Sequence, residues 1–148
     1  MSGKTKRVLN IVLILLVVLT VFFIWHNSSM SREASSKMSN GLLEKLRPYA
    51  EILGISIKDD ILLRKLAHIA EYALLGMEVG LLFLLNGRNE LRNFLQTLLL
   101  CILVAALDEV IQLNVGRNGH IHDVMLDGFG ALCGAGLSFC IPLPKVDK

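Results

Sequence analysis

Three short segments combine acidic, basic and histidine side chains within a strongly apolar chain. They are RKLAHIAEY at residues 64–72, LDEVIQ at residues 107–112, and a region that runs from the pair GR at residues 116–117 to two aspartates. Histidine and carboxylate groups transfer protons or bind metal ions, and arginine binds carboxylates and phosphates. The candidate catalytic residues are His68, Glu71, Asp108, Glu109 and Asp123. The candidate binding residues are Lys65, Tyr72, Gln112, Arg117 and Asp127.

Helical spacing would gather the residues of the first two segments onto one face each. His68, Glu71 and Glu78 recur at intervals of three and seven residues, which places them on the same side of a helix. Asp108 and Gln112 are four residues apart in the second segment. Each segment is therefore expected to present its chemical groups in one direction.

The third segment continues into a stripe of small residues. His120, Asp123 and Asp127 share this stripe with Gly130 and Gly134. Small residues spaced four apart let helix backbones approach closely in a membrane. We expect the charged half of the stripe to contribute to a site and the glycine half to form a contact between helices.

Four apolar runs supply the elements that would position these segments. The chain has 148 residues, of which 53% are hydrophobic, and the runs cover residues 8–25, 61–85, 93–113 and 124–143. About 20 apolar residues are enough to cross a bilayer. We predict an all-α fold, an integral membrane bundle of four transmembrane helices that forms a single domain over residues 1–148. A net charge of +2 gives no reason to expect a nucleic-acid partner.

The basic residues Lys4, Lys6 and Arg7 before the first run bear on both its nature and its orientation. A cleaved signal peptide is the alternative to a span, but the run is longer than a signal peptide's apolar part and no small-residue cleavage pattern follows. Together with the basic loop at residues 86–92, these residues favour a cytoplasmic position for both termini. The charged segments would then lie in the outer half of the membrane. In the inverted orientation they would stay together and face the cytoplasm.

The segment between the first two runs is predicted to hold one short helix. SSMSREASSKMSN, residues 28–40, is typical of a polar loop, whereas NGLLEKLRPYAEILG, residues 40–54, has its apolar residues on roughly one helix face. Asn40 can cap this helix and Gly54 can end it. We predict an amphipathic helix along the membrane surface in the first outer loop, with a solvated linker helix as the alternative.

Ionisable groups inside a membrane span need a partner or access to water, because a charge at the centre of a span costs roughly 2.5–3.5 kcal/mol on insertion scales. We expect Arg117 or Lys65 to neutralise part of the Asp108–Glu109 pair. The alternative is a buried salt-bridge network that only fixes the order of the helices. Glu78 lies deeper, where a proton relay, a residue of a closed lumen and a dimer contact are all open alternatives.

In combination, these motifs resemble the VanZ-like family. The motifs are RKxxHxxEYxxLG from residue 64, DExxQ from residue 108, GR at residues 116–117 and DxxxDxxG from residue 123. The resemblance implies a small multi-helix protein of the bacterial cytoplasmic (inner) membrane, in a family whose founding member lowers susceptibility to the glycopeptide teicoplanin. The chain departs from the family at Asp127, where asparagine is usual, and His120 and His122 occupy variable positions.

Several functions are compatible with the motifs. The first is the binding or modification of a membrane lipid or a lipid-linked cell-wall precursor, with Arg117 and Lys65 holding phosphate. The second is a metal-dependent membrane enzyme that uses the His, Glu and Asp residues, and whose metal and other cofactors the sequence leaves open. The third is a non-catalytic binding or regulatory membrane protein that acts through the outer loop. A fourth is ion transport through Glu78, which would require a homo-oligomer.

Overall fold

Five α-helices make up the part of the chain that the computed structural model describes, which is residues 2–52, 60–87, 89–117 and 121–141. The helices are α1 (Gly3–Ser28), α2 (Arg32–Ile52), α3 (Asp60–Asn86), α4 (Glu90–Asn114) and α5 (Ile121–Phe139). At the start of α1 the Ser2 side chain accepts the backbone N–H of Lys4, and at the start of α4 Asn89 accepts that of Arg92. The all-α prediction is confirmed.

Three of these helices are long and apolar enough to cross a membrane, namely α1, the Ile61–Asn86 part of α3, and α4. On α1, large apolar side chains such as Phe22, which is 68% exposed, are left uncovered by the described part of the chain. Such a surface requires lipid, which identifies the chain as a membrane protein. The described part of α5 is long enough for a fourth span, but it is not among the candidates because His122, Asp123, Asp127 and several glycines lower its hydropathy.

Helix α3 is central and packs against all four other helices, most extensively against α5. The contact with α5 depends on glycine. A Cβ atom added at Gly130 or Gly134 would overlap the backbone carbonyl of Ile69 or Ala73, and one added at Gly76 would overlap α5. The two backbones therefore touch along the glycine stripe, as the sequence predicts, and we call this contact between α3 and α5 the glycine seam.

Helices α1 and α3 are joined by side-chain hydrogen bonds along their length. We call these bonds the polar ladder, which consists of Asn10 with Asn86 at 2.6 and 3.1 Å, Thr20 with Glu78 at 3.1 Å, and Asn27 with Glu71 at 3.1 Å. In the middle rung the Thr20 hydroxyl donates to Glu78 Oε1, and Glu78 is only 5% exposed. Glu78 is therefore buried within a single chain, and its burial needs no dimer contact.

Helix α2 begins earlier than the sequence predicts. It starts at Arg32, where Ser31 Oγ accepts the backbone N–H of Ala34, so the expected serine-rich loop forms the first turns of the helix and Asn40 lies inside it. The reason is packing, because Ser35, Ser39 and Leu43 recur every four residues and are buried together. The predicted end at Gly54 lies outside the described residues.

Candidate functional site

The charged segments of α3, α4 and α5 converge at one end of the bundle. His68 Nδ1 lies 3.6 Å from Asp127 Oδ1 and 4.0 Å from Asp108 Oδ2. Asp108 is fully buried and Asp127 is 2% exposed. The structure thus brings together three predicted site residues from three helices, and we call them the His68 cluster. His120, which the sequence places on the stripe of α5, lies outside the described residues.

The carboxylates of the His68 cluster are only partly satisfied by hydrogen bonds. Gln112 Nε2 donates to Asp108 Oδ2 at 2.9 Å and lies 3.4 Å from Ser28 Oγ at the end of α1. Asp108 Oδ1 and Asp127 Oδ1 are buried without a hydrogen-bond partner among the described residues. A buried acceptor without a donor costs free energy.

A cavity of about 470 Å³ opens in front of the cluster, between α2, α3, the turn after α4, and α5. His68, Gln112 and Asp127 form part of its wall. Four basic side chains also line the cavity, namely Arg32, Arg64, Lys65 and Arg117. The cavity therefore combines basic groups that suit a phosphate with a histidine–carboxylate group in its wall.

Lys65 forms an ion pair with Asp123. Its ammonium group lies 3.8 Å from Asp123 Oδ1, and both side chains are partly exposed, at 51% and 32%. The ion pair joins α3 to the first turn of α5 at the edge of the cavity. An exposed ion pair of this kind contributes little to stability, so it constrains the cavity wall only weakly.

The Gly116-Arg117 pair is placed by the way in which α4 ends. Gly116 has a φ of +73°, and its backbone N–H donates to the carbonyl of Leu113. The N–H of Arg117 donates to the carbonyl of Gln112. These two bonds are those of a Schellman motif, in which glycine supplies the left-handed residue that stops the helix. The glycine thereby turns Arg117 towards the cavity immediately beyond the last turn of α4.

Arg117 lies among charges of both signs. Its partial burial and the neighbouring Arg64 lower the pKa of the guanidinium, whereas the carboxylates Asp108 and Glu109 act in the opposite direction. Arg117 therefore lies in the electrostatic field of the Asp108–Glu109 pair, which it is expected to neutralise in part. Arginine keeps its charge despite such a shift, so the cavity contains positive charges that repel one another.

Four predicted site residues do not line the cavity. Glu71 is half-buried and accepts a hydrogen bond from Asn27, which makes it part of the polar ladder. Tyr72 is fully buried in the core between α1, α3, α4 and α5. Glu109 is half-buried on α4, beside Arg117. Asp108 also lies behind the wall, where it contacts Gln112 and His68.

Sequence reasoning missed the contribution of α2. Arg32 and Ser36, one turn apart on α2, both line the cavity. Both residues fall in the segment predicted to be a loop, residues 28–40, and are therefore not among the predicted site residues. The signal that would have found them is Ser31, which can cap a helix, followed by serines at a spacing of four residues.

The pattern of residues along most of the chain matches a known family. The sequence model of a family described as VanZ/LLP1 matches residues 11–142, which includes all of the cavity-lining residues. A search of curated proteins and a search of solved structures found no match. The family match thus rests on a pattern that extends over all five helices.

Proposed function

The chain belongs to the VanZ/LLP1 family, and from this premise we propose that it binds a phosphate-bearing lipid headgroup of the bacterial cell envelope. A phospholipid or a lipid-linked cell-wall precursor carries the required group. The bound lipid would place its phosphate in the cavity and its acyl or prenyl chains against the apolar outer surface of the bundle.

The observation that supports this proposal is the convergence of Arg32, Arg64, Lys65 and Arg117 on one cavity. They come from α2, α3 and the turn after α4, so the fold gathers cations that the sequence keeps apart. Guanidinium groups donate paired hydrogen bonds to phosphate oxygens. A phosphate anion would also relieve the repulsion between Arg64 and Arg117, since each lies in the field of the other.

The proposal includes a topology of four spans with both termini in the cytoplasm, which places the cavity in the outer half of the cytoplasmic membrane. Support for α5 as the fourth span comes from its surface. Met125, Phe129 and Leu137 are exposed on α5, whereas Asp127 and the seam glycines are covered by α3. An apolar outer face and a polar face covered by protein are compatible with lipid on one side.

Helix α2 would lie along the membrane surface as the amphipathic element. Its exposed apolar side chains are Met38, Leu42, Leu46, Tyr49 and Ile52. Its opposite face packs on the bundle through Ser35, Ser39 and Leu43. In this position α2 would hold Arg32 over the cavity at the level of lipid headgroups.

Native mass spectrometry of the full-length protein in detergent tests the headgroup proposal. The probes are phosphatidylglycerol, a polyprenyl phosphate and, as a lipid without phosphate, diacylglycerol. We expect both phosphate lipids to be retained and diacylglycerol to be lost. Arg117→Ala should weaken retention about tenfold or more, because a hydrogen bond to a charged group contributes about 1.5–3 kcal/mol.

Arg47→Ala is the matched control, since Arg47 is an exposed arginine of α2 outside the cavity. Its lipid retention should equal that of the wild type. Equal retention by wild type, Arg117→Ala and Arg64→Ala would refute the headgroup site.

We also propose that the protein is associated with teicoplanin resistance in cells, and this part of the proposal rests on the family resemblance. Wild type, Arg117→Ala and the Asp108→Asn/Glu109→Gln double variant are expressed at matched membrane levels in a Gram-positive host. We expect the wild type to raise the inhibitory concentration of teicoplanin but not of vancomycin, and the variants to lose this effect. Protection that survives both variants would dissociate the phenotype from the cavity.

A further inference from the structure

We propose that the His68 cluster binds a divalent metal ion of the Mn²⁺ or Zn²⁺ type in the wall of the cavity. His68, Asp108 and Asp127 each offer one ligand atom, and the three atoms lie within 4.8 Å of one another. This inference rests on the proposed function only for the lipid phosphate that would bind the ion from the cavity side. The ligand set itself stands on the three side chains.

The distances within the cluster suit a shared ion better than direct hydrogen bonds. His68 Nδ1 is 3.6 Å from Asp127 Oδ1 and 4.0 Å from Asp108 Oδ2. A hydrogen bond from a ring nitrogen to oxygen is about 2.7–3.2 Å long. Ligand atoms held about 2.1 Å from a metal ion lie roughly 3–4 Å apart, which is the spacing of His68 Nδ1 from each of the two carboxylates.

Burial supplies an independent reason for a cation. Asp108 is fully buried and Asp127 is 2% exposed, and each has an oxygen without a hydrogen-bond partner among the described residues. A divalent ion would balance the charge of both carboxylates and give Asp127 Oδ1, which faces His68, a ligand bond.

The surroundings of the cluster resemble those of a metal site in two further respects. Gln112 donates to Asp108 Oδ2 at 2.9 Å and fixes the orientation of that carboxylate, as outer partners of metal ligands do. His68 and Asp127 face the cavity, so an ion between them would have open coordination positions on that side. One imidazole and two carboxylates form a ligand set that suits Mn²⁺ or Zn²⁺. A lipid phosphate oxygen would be the ligand that completes the site.

Metal titration of the full-length protein, treated with chelator and then desalted, tests this site. Mn²⁺ binding is followed by electron paramagnetic resonance and Zn²⁺ binding by elemental analysis, both in phosphate-free buffer. We expect about one ion per chain for the wild type and at least tenfold weaker binding for Asp108→Asn and Asp127→Asn. Glu78→Gln is the matched control, because Glu78 is a buried acid of α3 outside the cluster, and its metal affinity should not change.

A thermal-shift experiment separates loss of the site from loss of the fold. The added metal should raise the unfolding temperature of the wild type and of Arg117→Ala, and leave that of Asp127→Asn unchanged. Absence of a stoichiometric ion, or an equal metal response in wild type and Asp127→Asn, would overturn the site. Metal binding by Arg117→Ala together with lost lipid retention would show the two proposals to be independently correct. Lipid retention without any metal binding would leave the headgroup site and refute this one.

Discussion

The polar ladder between α1 and α3 and the His68 cluster both contain buried carboxylates, but the surroundings of these carboxylates differ. In the ladder each acid receives a hydrogen bond from an uncharged side chain of α1, as Glu78 does from Thr20. In the cluster, two acids and a histidine from three helices approach one another at 3.6 and 4.0 Å. Glu78 Oε2 also lacks a partner, so an orphaned oxygen alone does not mark a site.

The convergence of ligand atoms beside a cavity is what distinguishes the cluster from the ladder. A carboxylate with a neutral donor on the next helix aligns two helices, which is a role in assembly. In the cluster Asp108 also has a neutral donor, Gln112, but two carboxylates and an imidazole converge there beside a cavity, which is the arrangement that we propose to bind an ion. Four sets of variants test this distinction, and their expected effects decrease from the first set to the last.

The glycine seam joins α3 to α5, and breaking it should have the largest effect on stability. Gly134→Val would push a branched side chain into the carbonyl of Ala73, and we expect a loss of about 3 kcal/mol or more in the free energy of unfolding. Detergent-titrated unfolding followed by circular dichroism measures this loss. Gly136→Val is the control, because a Cβ there meets nothing within 4 Å. Equal stability of the two variants would contradict the close backbone contact.

Loss of the middle hydrogen bond of the ladder should lower stability without changing ligand binding. Thr20→Val removes the hydroxyl that donates to Glu78 and leaves a buried carboxyl group without its donor. We expect a destabilisation of about 1–2 kcal/mol in the same unfolding assay. Lipid retention and metal affinity should match those of the wild type. A variant of normal stability that loses lipid or metal would make the ladder part of the site.

Asp127→Asn should change stability in the opposite direction when no metal is present. The substitution replaces a buried acid, one oxygen of which lacks a donor among the described residues, by a neutral amide of the same shape. We expect the metal-free variant to be more stable than the metal-free wild type by about 1 kcal/mol. The order should reverse when saturating Mn²⁺ is added. A metal-free variant that is less stable than the wild type would mean that Asp127 is satisfied within the fold.

The turn after α4 should produce the smallest effect on stability and a selective effect on binding. Gly116→Ala places a Cβ on a residue with a φ of +73° and should cost about 1 kcal/mol. Because the turn aims Arg117, retention of phosphate lipids should fall while metal affinity is kept. Gly116→Asn is the control, since asparagine tolerates this conformation better, and it should bind lipid more like the wild type. Indistinguishable lipid retention by the alanine variant would separate the turn from the cavity.

The sequence predicts the long apolar helices well, because a run of apolar residues is sufficient to define each one. Residues 61–85 and 93–113 fall within α3 and α4, which extend only a few residues further. The extension of α2 back to Arg32 was not predictable from propensity alone. Serine is a neutral to poor helix former, and it is the burial of Ser35 and Ser39 against the bundle that makes this segment helical.

Helical periodicity places candidate residues on a face but does not say which neighbour that face meets. His68 and Glu71 are three residues apart and were expected in one site. On α3, which is surrounded by four helices, this small angular difference sends His68 towards α4 and α5 and sends Glu71 to Asn27 of α1. Lys65 reaches Asp123 for the same reason. The sequence predicts which residue types form the site. Which of these residues lie in the ladder and which in the cluster depends on how the helices pack.

The glycine seam also has a consequence for biogenesis. Under the four-span topology, α5 carries Asp127 on a face that only the neighbouring protein can cover, so α5 would enter lipid poorly without α3. We therefore expect α3 to be made and inserted first and α5 to be retained in the membrane by docking on it. A reporter of membrane sidedness fused after residue 141 would test this order. Wild type should give one orientation, and Gly134→Val a mixture, if the seam guides insertion; identical orientation would show that α5 inserts without guidance.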